Sequence, residues 1–381
     1  MRFDHKTSLC FSGGLFTLLL FIGFLLSQHK LLWIDECFTQ HVSVDRPSYA
    51  DILSLHFPDG NKCPLFYVLQ KLNSNIFSFN YPQGQAEGSH DASDVHAQII
   101  IRIPSNIYMS LAMACIFYYF TRFFSLYTAF YAMAISLVSP MVWTYWVEAR
   151  PYSLWFLLTT AQLLFYCSSV LPPKIKTGKF IGFIHVLLVL TTPGSILQVS
   201  IITLMLFCKG VYKKRQLIFP WLLPMCIFLF YYFLVPVYKF KTFNFMTCLF
   251  DAVMPEHLFV YIIYAVIAWM LSNKHKEYSS NTFFLPVFLL FLLSGCFVLF
   301  IDLFTVNYQF GFFSRYLIYL VPADTLMFTL ASYDLWQWTR KNVWVCMNLS
   351  IFLGGLLVVR GLMTYREILA TALYLHSPVK I

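Results

Sequence analysis

Long apolar stretches, each broken by a short polar one, recur from end to end of the chain. They fall near residues 9–27, 99–121, 126–143, 151–171, 180–192, 194–208, 217–235, 258–271, 282–302, 315–331 and 343–360. A helix needs ~20 predominantly apolar residues to cross the hydrocarbon core of a bilayer. The pattern therefore predicts about 11 transmembrane helices; the pair over 180–208 is the shortest. The first run follows Arg2 and Lys6 as a signal peptide would. It is long for such a segment, and Ser27-Gln28-His29-Lys30 offers no small-residue cleavage site, so it is expected to stay as the first span. The expected fold class is an all-α integral membrane protein, a single polytopic membrane domain over 1–381. No internal repeat or low-complexity segment interrupts it.

The loops carry an alternating charge signal. Arg2/Lys6, Arg122, Lys174/Lys176/Lys179, Lys209/Lys213/Lys214/Arg215, Lys274/Lys276 and Arg340/Lys341 occupy every second connection. Short loops dense in Lys and Arg stay cytoplasmic. This predicts a cytoplasmic N-terminus and puts the tail 361–381 on the lumenal or outer side. One lumenal connection, 28–98, is far longer than the rest and holds eight of the 17 acidic residues. Within it Tyr49, Ile52 and Leu53, then Leu65, Phe66, Leu69 and Leu72, recur at helical spacing, which predicts amphipathic helices lying on the membrane surface. Only 80–94 reads as a flexible polar tip.

Composition agrees with this pattern. Of 381 residues 59% are hydrophobic and only 11% are charged, against ~25% charged in soluble domains. A soluble enzyme, a nucleic-acid binder and a disordered scaffold are excluded despite the net charge of +9. Ten cysteines show no CxxC pair or zinc-like spacing. Cys37 and Cys63 share the long loop and could pair in an oxidising lumen.

With charge so scarce, each charged residue at a span end needs a physical reason. Trp33-Ile34-Asp35-Glu36, with Thr39 one turn on, places adjacent carboxylates just beyond the first span. Such a pair suits a general base or a cation ligand, while Asp35 could equally cap a short interfacial helix. Arg102, Arg150 and Arg315 each open a predicted span on the lumenal side. A cation at a helix N-terminus faces the positive end of the macrodipole, at a cost of about 0.3–1 kcal/mol. A bound phosphate would justify three such placements; snorkelling to lipid phosphate is the plainer alternative. Glu148-Ala149-Arg150-Pro151-Tyr152 reads as a helix entrance with Pro151 at its first position and a local Glu148–Arg150 pair. Lys62-Cys63-Pro64-Leu65-Phe66-Tyr67 reads as a proline start to an amphipathic helix. Asp324 lies within a predicted span, as a functional acid or a packing residue. Asn348-Leu349-Ser350 falls inside a span and is discounted as a glycosylation site.

In their order along the chain, Trp33-Ile34-Asp35-Glu36 with Thr39, Pro64-Leu65-Phe66-Tyr67, Arg102-Ile103-Pro104-Ser105, Ser139-Pro140 and Glu148-Ala149-Arg150-Pro151-Tyr152 resemble the GT-C superfamily of polytopic glycosyltransferases. Arg315-Tyr316 followed by Pro322 is similar to a late element of the branch that includes protein O-mannosyltransferases and lipid A aminoarabinose transferases. The resemblance spans about residues 30–325. It implies an inverting transferase that moves a sugar, mannose-like in this branch, from a polyprenyl- or dolichyl-phosphate donor to an acceptor hydroxyl of unassigned identity. It implies Asp35 as the general base, with Glu36 positioning the acceptor or a divalent cation. Arg102, Arg150 and Arg315 would hold the donor phosphate, with Glu148, Tyr152, Thr39 and Tyr316 as further site candidates.

Three departures matter. Lys62-Cys63-Pro64-Leu65 stands where the family usually has His-Pro-Pro-Leu, which weakens the case for a metal and offers Lys62 as a further charge for the phosphate. Thr191-Thr192-Pro193-Gly194 lacks the His-Tyr of many relatives, and only a short tail follows the last span. The alternatives are a transporter or scramblase and a catalytically inactive relative. The expected location is the endoplasmic reticulum membrane, with a bacterial inner membrane as the alternative, and membrane lipids are the expected surroundings.

Overall fold

The computed structural model describes residues 3–57, 63–80, 95–170, 178–212, 218–234, 317–340 and 343–373. Every regular element among them is helical. In chain order they are α1 (His5–His29), α2 (Ile34–Phe38), a π-helical segment (Thr39–Asp45), α3 (Tyr49–Leu53), α4 (Pro64–Ile76), α5 (Val95–Phe123), α6 (Leu126–Leu137), α7 (Pro140–Trp146), α8 (Tyr152–Val170), α9 (Gly178–Thr191), α10 (Ser195–Cys208), a second π-helical segment (Ile218–Leu222) and α11 (Leu223–Leu234). The two helices that follow are named α12 (Leu320–Thr339) and α13 (Val343–Leu373).

Among the described residues, four helices are long and apolar enough to cross a membrane: α1, α5, α8 and the Val343–Leu362 part of α13. The predicted span 126–143 is broken instead. Pro140 lacks the amide needed to continue α6, so α7 starts there and turns by 76°. The predicted pair over 180–208 appears as α9 and α10, both shorter than a full span. Helix α13 runs on to Leu373, so much of the expected tail continues the last helix. The predicted spans 258–271 and 282–302, and the polar tip apart from Asn80, lie outside the described residues.

Helices α1 and α5 pack antiparallel along most of their length. At one end Arg122 Nη1 donates to the Phe3 carbonyl at 3.2 Å, and His5 Nδ1 meets the Tyr118 hydroxyl at 2.8 Å. Midway, Asn106 Nδ2 donates to the Leu20 carbonyl (3.0 Å), while its Oδ1 accepts from Trp146 Nε1 at 3.1 Å. Gly23 makes this contact possible. A Cβ there would lie 1.9 Å from Asn106 Oδ1 and 2.8 Å from Trp146 Nε1. Small residues let membrane helices approach this closely. Gly23→Ala is expected to lower the melting temperature in detergent through overpacking worth ~1–3 kcal/mol. Gly13→Ala and Gly14→Ala, with nothing within 4 Å of the added Cβ, should be neutral or gain up to ~0.5–1 kcal/mol from helix entropy. Equal effects at the three positions would refute the close-packing account.

Proline explains how the long loop docks. Pro104, inside α5, has no amide to donate to the carbonyl of Ile100, four residues back. Asn73 Nδ2 of α4 supplies that hydrogen bond at 2.8 Å, and Gln70 Nε2 donates to the next carbonyl, Ile101, at 2.7 Å. Asn73→Ala leaves a buried carbonyl unsatisfied, an expected loss of ~1–3 kcal/mol. In Pro104→Ala the backbone can supply the donor, so the Asn73→Ala penalty should shrink in that background. A double-mutant cycle on thermal unfolding that shows simple additivity would disprove the link.

Candidate active site

One end of the bundle gathers the C-terminus of α1, the short helix α2, the N-terminal part of α5 and the α7–α8 connection. At the start of helix α2 the Glu36 side chain reaches back to accept from the Trp33 amide at 3.0 Å. That turn aims Glu36 inward and leaves the neighbouring Asp35 half-buried.

Glu36 is a hub. It is 0% exposed and forms a fork with Arg102, also 0% exposed: Arg102 Nε to Oε1 at 2.9 Å and Nη2 to Oε2 at 2.6 Å. Oε1 also accepts the Ala149 amide at 2.7 Å. Burial alone would push this carboxyl's pKa up; the attraction and hydrogen bonds of Arg102, then Lys30 and the Ala149 amide, outweigh it and hold the value below normal. Four N–H donors pointed at the two oxygens keep Glu36 ionised and occupied.

Arg102 is equally committed. Its Nη1 donates to the carbonyls of Ser27 (3.4 Å) and Lys30, and its Nη2 to the carbonyl of Leu31 at 2.7 Å. The last carbonyls of a helix lack intrahelical partners, and a cation at that end is favoured by the macrodipole. Helix α5 starts at Val95, so Arg102 lies about two turns inside it and not at its mouth. The anion and dipole that justify its charge are Glu36 and the end of α1. This corrects the expected placement of Arg102 at a helix mouth.

Arg150 does precede its helix, α8, as expected. It is 8% exposed, and its Nη1 donates to the Thr39 hydroxyl and, at 3.5 Å, to the Asp35 carbonyl. Thr39 starts the π-helical segment and is 1% exposed. Arg150 is thus brought to the Asp35 backbone and the Thr39 hydroxyl, though more than a hundred residues separate it from both. Tyr152 is buried, with its ring 4.9 Å from that of Tyr145. Glu148 is buried as well, and its charge acts on Lys30.

Sequence reasoning overlooked Lys30. Its Nζ donates to the Thr144 carbonyl at 2.9 Å, tying the end of α1 to α7. Burial lowers its pKa, opposed by Glu148 and Glu36 and reinforced by Arg102. A cation at the end of the first span is the available signal, but a Lys at a helix C-terminus needs no special justification.

The chain matches no family model and no curated protein. A solved structure is similar: the crystal structure of ArnT from Cupriavidus metallidurans bound to undecaprenyl phosphate. It has a TM-score of 0.50 and 12% identity, covering 94% of this chain and 74% of that one. The chain has an ArnT-like membrane fold.

The remaining candidates divide by location. Lys62, Arg315 and Tyr316 lie outside the described residues. Cys37 and Cys63 are both free thiols and not a disulfide; the Cys63 Sγ points to α9, within 3.5 Å of the Val189 carbonyl. Asp324 is 2% exposed in the second turn of α12. The divalent cation considered beside Asp35 and Glu36 fits this donor set poorly. The Glu36 oxygens are taken by N–H groups, and no cluster of three ligating side chains occurs among the described residues.

Proposed function

We propose that the chain is a glycosyltransferase that takes a sugar from a polyprenyl-phosphate carrier at the extracytoplasmic face. The observation that carries this reading is that Arg150 reaches the Thr39 hydroxyl and the Asp35 backbone carbonyl at one end of an ArnT-like bundle, braced by the buried Glu36–Arg102 pair. The relative of the same fold was crystallised with undecaprenyl phosphate, a ligand of the donor's chemical class.

In this proposal Asp35 is the base. Unlike Glu36 it is partly exposed, so an acceptor hydroxyl can reach it. Asp35 takes the hydroxyl proton as the hydroxyl oxygen bonds to the anomeric carbon. The bond from that carbon to the phosphate oxygen breaks with inversion, and its electron pair leaves on the polyprenyl phosphate. Arg150, held by Thr39, faces the charge that develops there, where a preorganised cation lowers the barrier. Arg315 and Lys62 complete the cation set, with Tyr316, Tyr152 and Glu148 around it. Glu36 and Arg102 act as positioning residues. A mannose-like sugar, a dolichyl carrier and the endoplasmic reticulum belong to the same proposal and rest on the sequence resemblance.

Transfer of radiolabelled sugar from a panel of polyprenyl-phosphate donors by purified protein in nanodiscs tests it. Product formation by the wild type that depends on Asp35 is the expected result. No product over the panel would favour an inactive relative. Donor-independent passage of lipid across the bilayer would favour the scramblase alternative.

A further inference from the structure

Helix α4 is turned the opposite way from a surface helix in water. Its buried face carries Gln70, Asn73 and Ser74 together with Phe66 and Tyr67. The amides are spent inside the protein: Asn73 and Gln70 on α5 carbonyls, Gln70 also on Gln40 Oε1 at 3.2 Å, and Ser74 as acceptor from Gln40 Nε2 at 2.8 Å. Leu65, Leu69, Leu72 and Ile76 follow one another at four, three and four residues and so form a single stripe. Toward its C-terminal end this stripe opens outward, with Leu72 48% and Ile76 67% exposed. Leu53 of the adjoining α3 is 54% exposed. Lys71, the sole charged residue in the α4 sequence, bends back to the Val44 carbonyl at 2.8 Å and lies over the Tyr49 ring.

The neighbours of α4 indicate what covers this stripe. Its amides meet Ile100 and Ile101, which belong to the membrane-crossing helix α5. At its N-terminus the Cys63 thiol meets Val189 of the apolar helix α9. Helix α4 therefore bridges two apolar helices. A water-facing helix in that place would show its amides outside and its leucines inside.

Leu65 and Leu69 pack partly against the core; we propose that the exposed end of the stripe, Leu72 and Ile76, is a lateral contact with the acyl chains of the extracytoplasmic leaflet. Helix α4 then forms part of the membrane-facing wall of the bundle, and does not rest on the headgroups with a wet upper face. This inference is independent of the glycosyltransferase reading. The wall is joined to the site through Gln70 and Gln40, the residue next to Thr39.

A fluorescent noncanonical amino acid placed at residue 72 or 76 of the full chain, in phosphatidylcholine nanodiscs, tests the contact. Lipids brominated on their acyl chains should quench most of the emission at both positions, and aqueous iodide should quench little. Quenching by iodide but not by brominated lipid would overturn the proposal in favour of a water-facing helix. Quenching by neither would overturn it in favour of a protein cover, such as another segment of this chain. Two positions are used so that a label that prevents folding at one leaves the other, with the melting temperature checked against wild type. The readout requires no transferase activity, so it stands or falls separately from the proposed reaction.

Discussion

Asp35→Asn is expected to reduce sugar transfer by about 10²–10⁴-fold, the usual contribution of a positioned general base, with little change in melting temperature. The contrast with its neighbour makes the test sharp. A base needs access to the proton it takes. Glu36 lacks it, since it is fully buried and its oxygens accept from Arg102, Ala149 and Trp33. Asp35 is half-buried on the same short helix. Arg150→Ala should cost about 10²–10³-fold if its charge meets the leaving phosphate, and Arg150→Lys should recover only part, because a point charge cannot replace the fork that also reaches Thr39. Measured by initial rates with saturating donor, full activity in Asp35→Asn would move the base elsewhere. An equal loss of activity and of folded protein would reduce Asp35 to a structural residue.

The second large effect is on stability. Glu36→Gln or Arg102→Met should each cost about 3–5 kcal/mol, because either leaves one partner of a buried ion pair uncompensated. That is a large fraction of the ~5–15 kcal/mol that holds a typical domain folded, so the yield of detergent-stable protein should collapse. Exchanging the two charges, Glu36→Arg with Arg102→Glu, should not rescue it. The Ala149 and Trp33 amides need an acceptor at residue 36, and the carbonyls of Ser27, Lys30 and Leu31 need donors from residue 102. Rescue by the swap would show that Coulomb attraction alone matters. The pH dependence has a definite sign. Glu36 has a folded pKa below normal, so its contribution is present above the unfolded value of about 4.3 and is lost as pH falls through the lower folded value. The share of stability owed to Glu36 should therefore be flat from pH 5 to 8 and fall under more acidic conditions.

Arg102 shows how local reasoning can misplace a residue within its helix. A cation read as sitting at a helix mouth required an anion from outside the protein. Helix α5 begins earlier than the apolar run suggested, since Val95-His96-Ala97-Gln98 extends it by a turn. The end of α1 then falls beside Arg102 and supplies three carbonyls. Arg150 kept its place because Pro151 fixes the boundary chemically, through a ring that favours a helix start. The bent α6–α7 pair escaped for a related reason. Hydropathy continues across Val138-Ser139-Pro140 without a break, so only the missing amide marks the turn.

The sequence by itself determined the solvent, the helical class, the segments that could span, and the short set of charged residues from which any site must be built. Those properties follow from composition and from local periods of hydrophobicity, which are written residue by residue. The tertiary structure decided which of those charges are spent on one another. Glu36 and Arg102 lie 66 positions apart, and Arg150 lies 111 from the Thr39 hydroxyl that holds it; no local pattern records such pairings. Whether a buried charge is available for chemistry depends on which donors and acceptors surround it, and only packing brings those together.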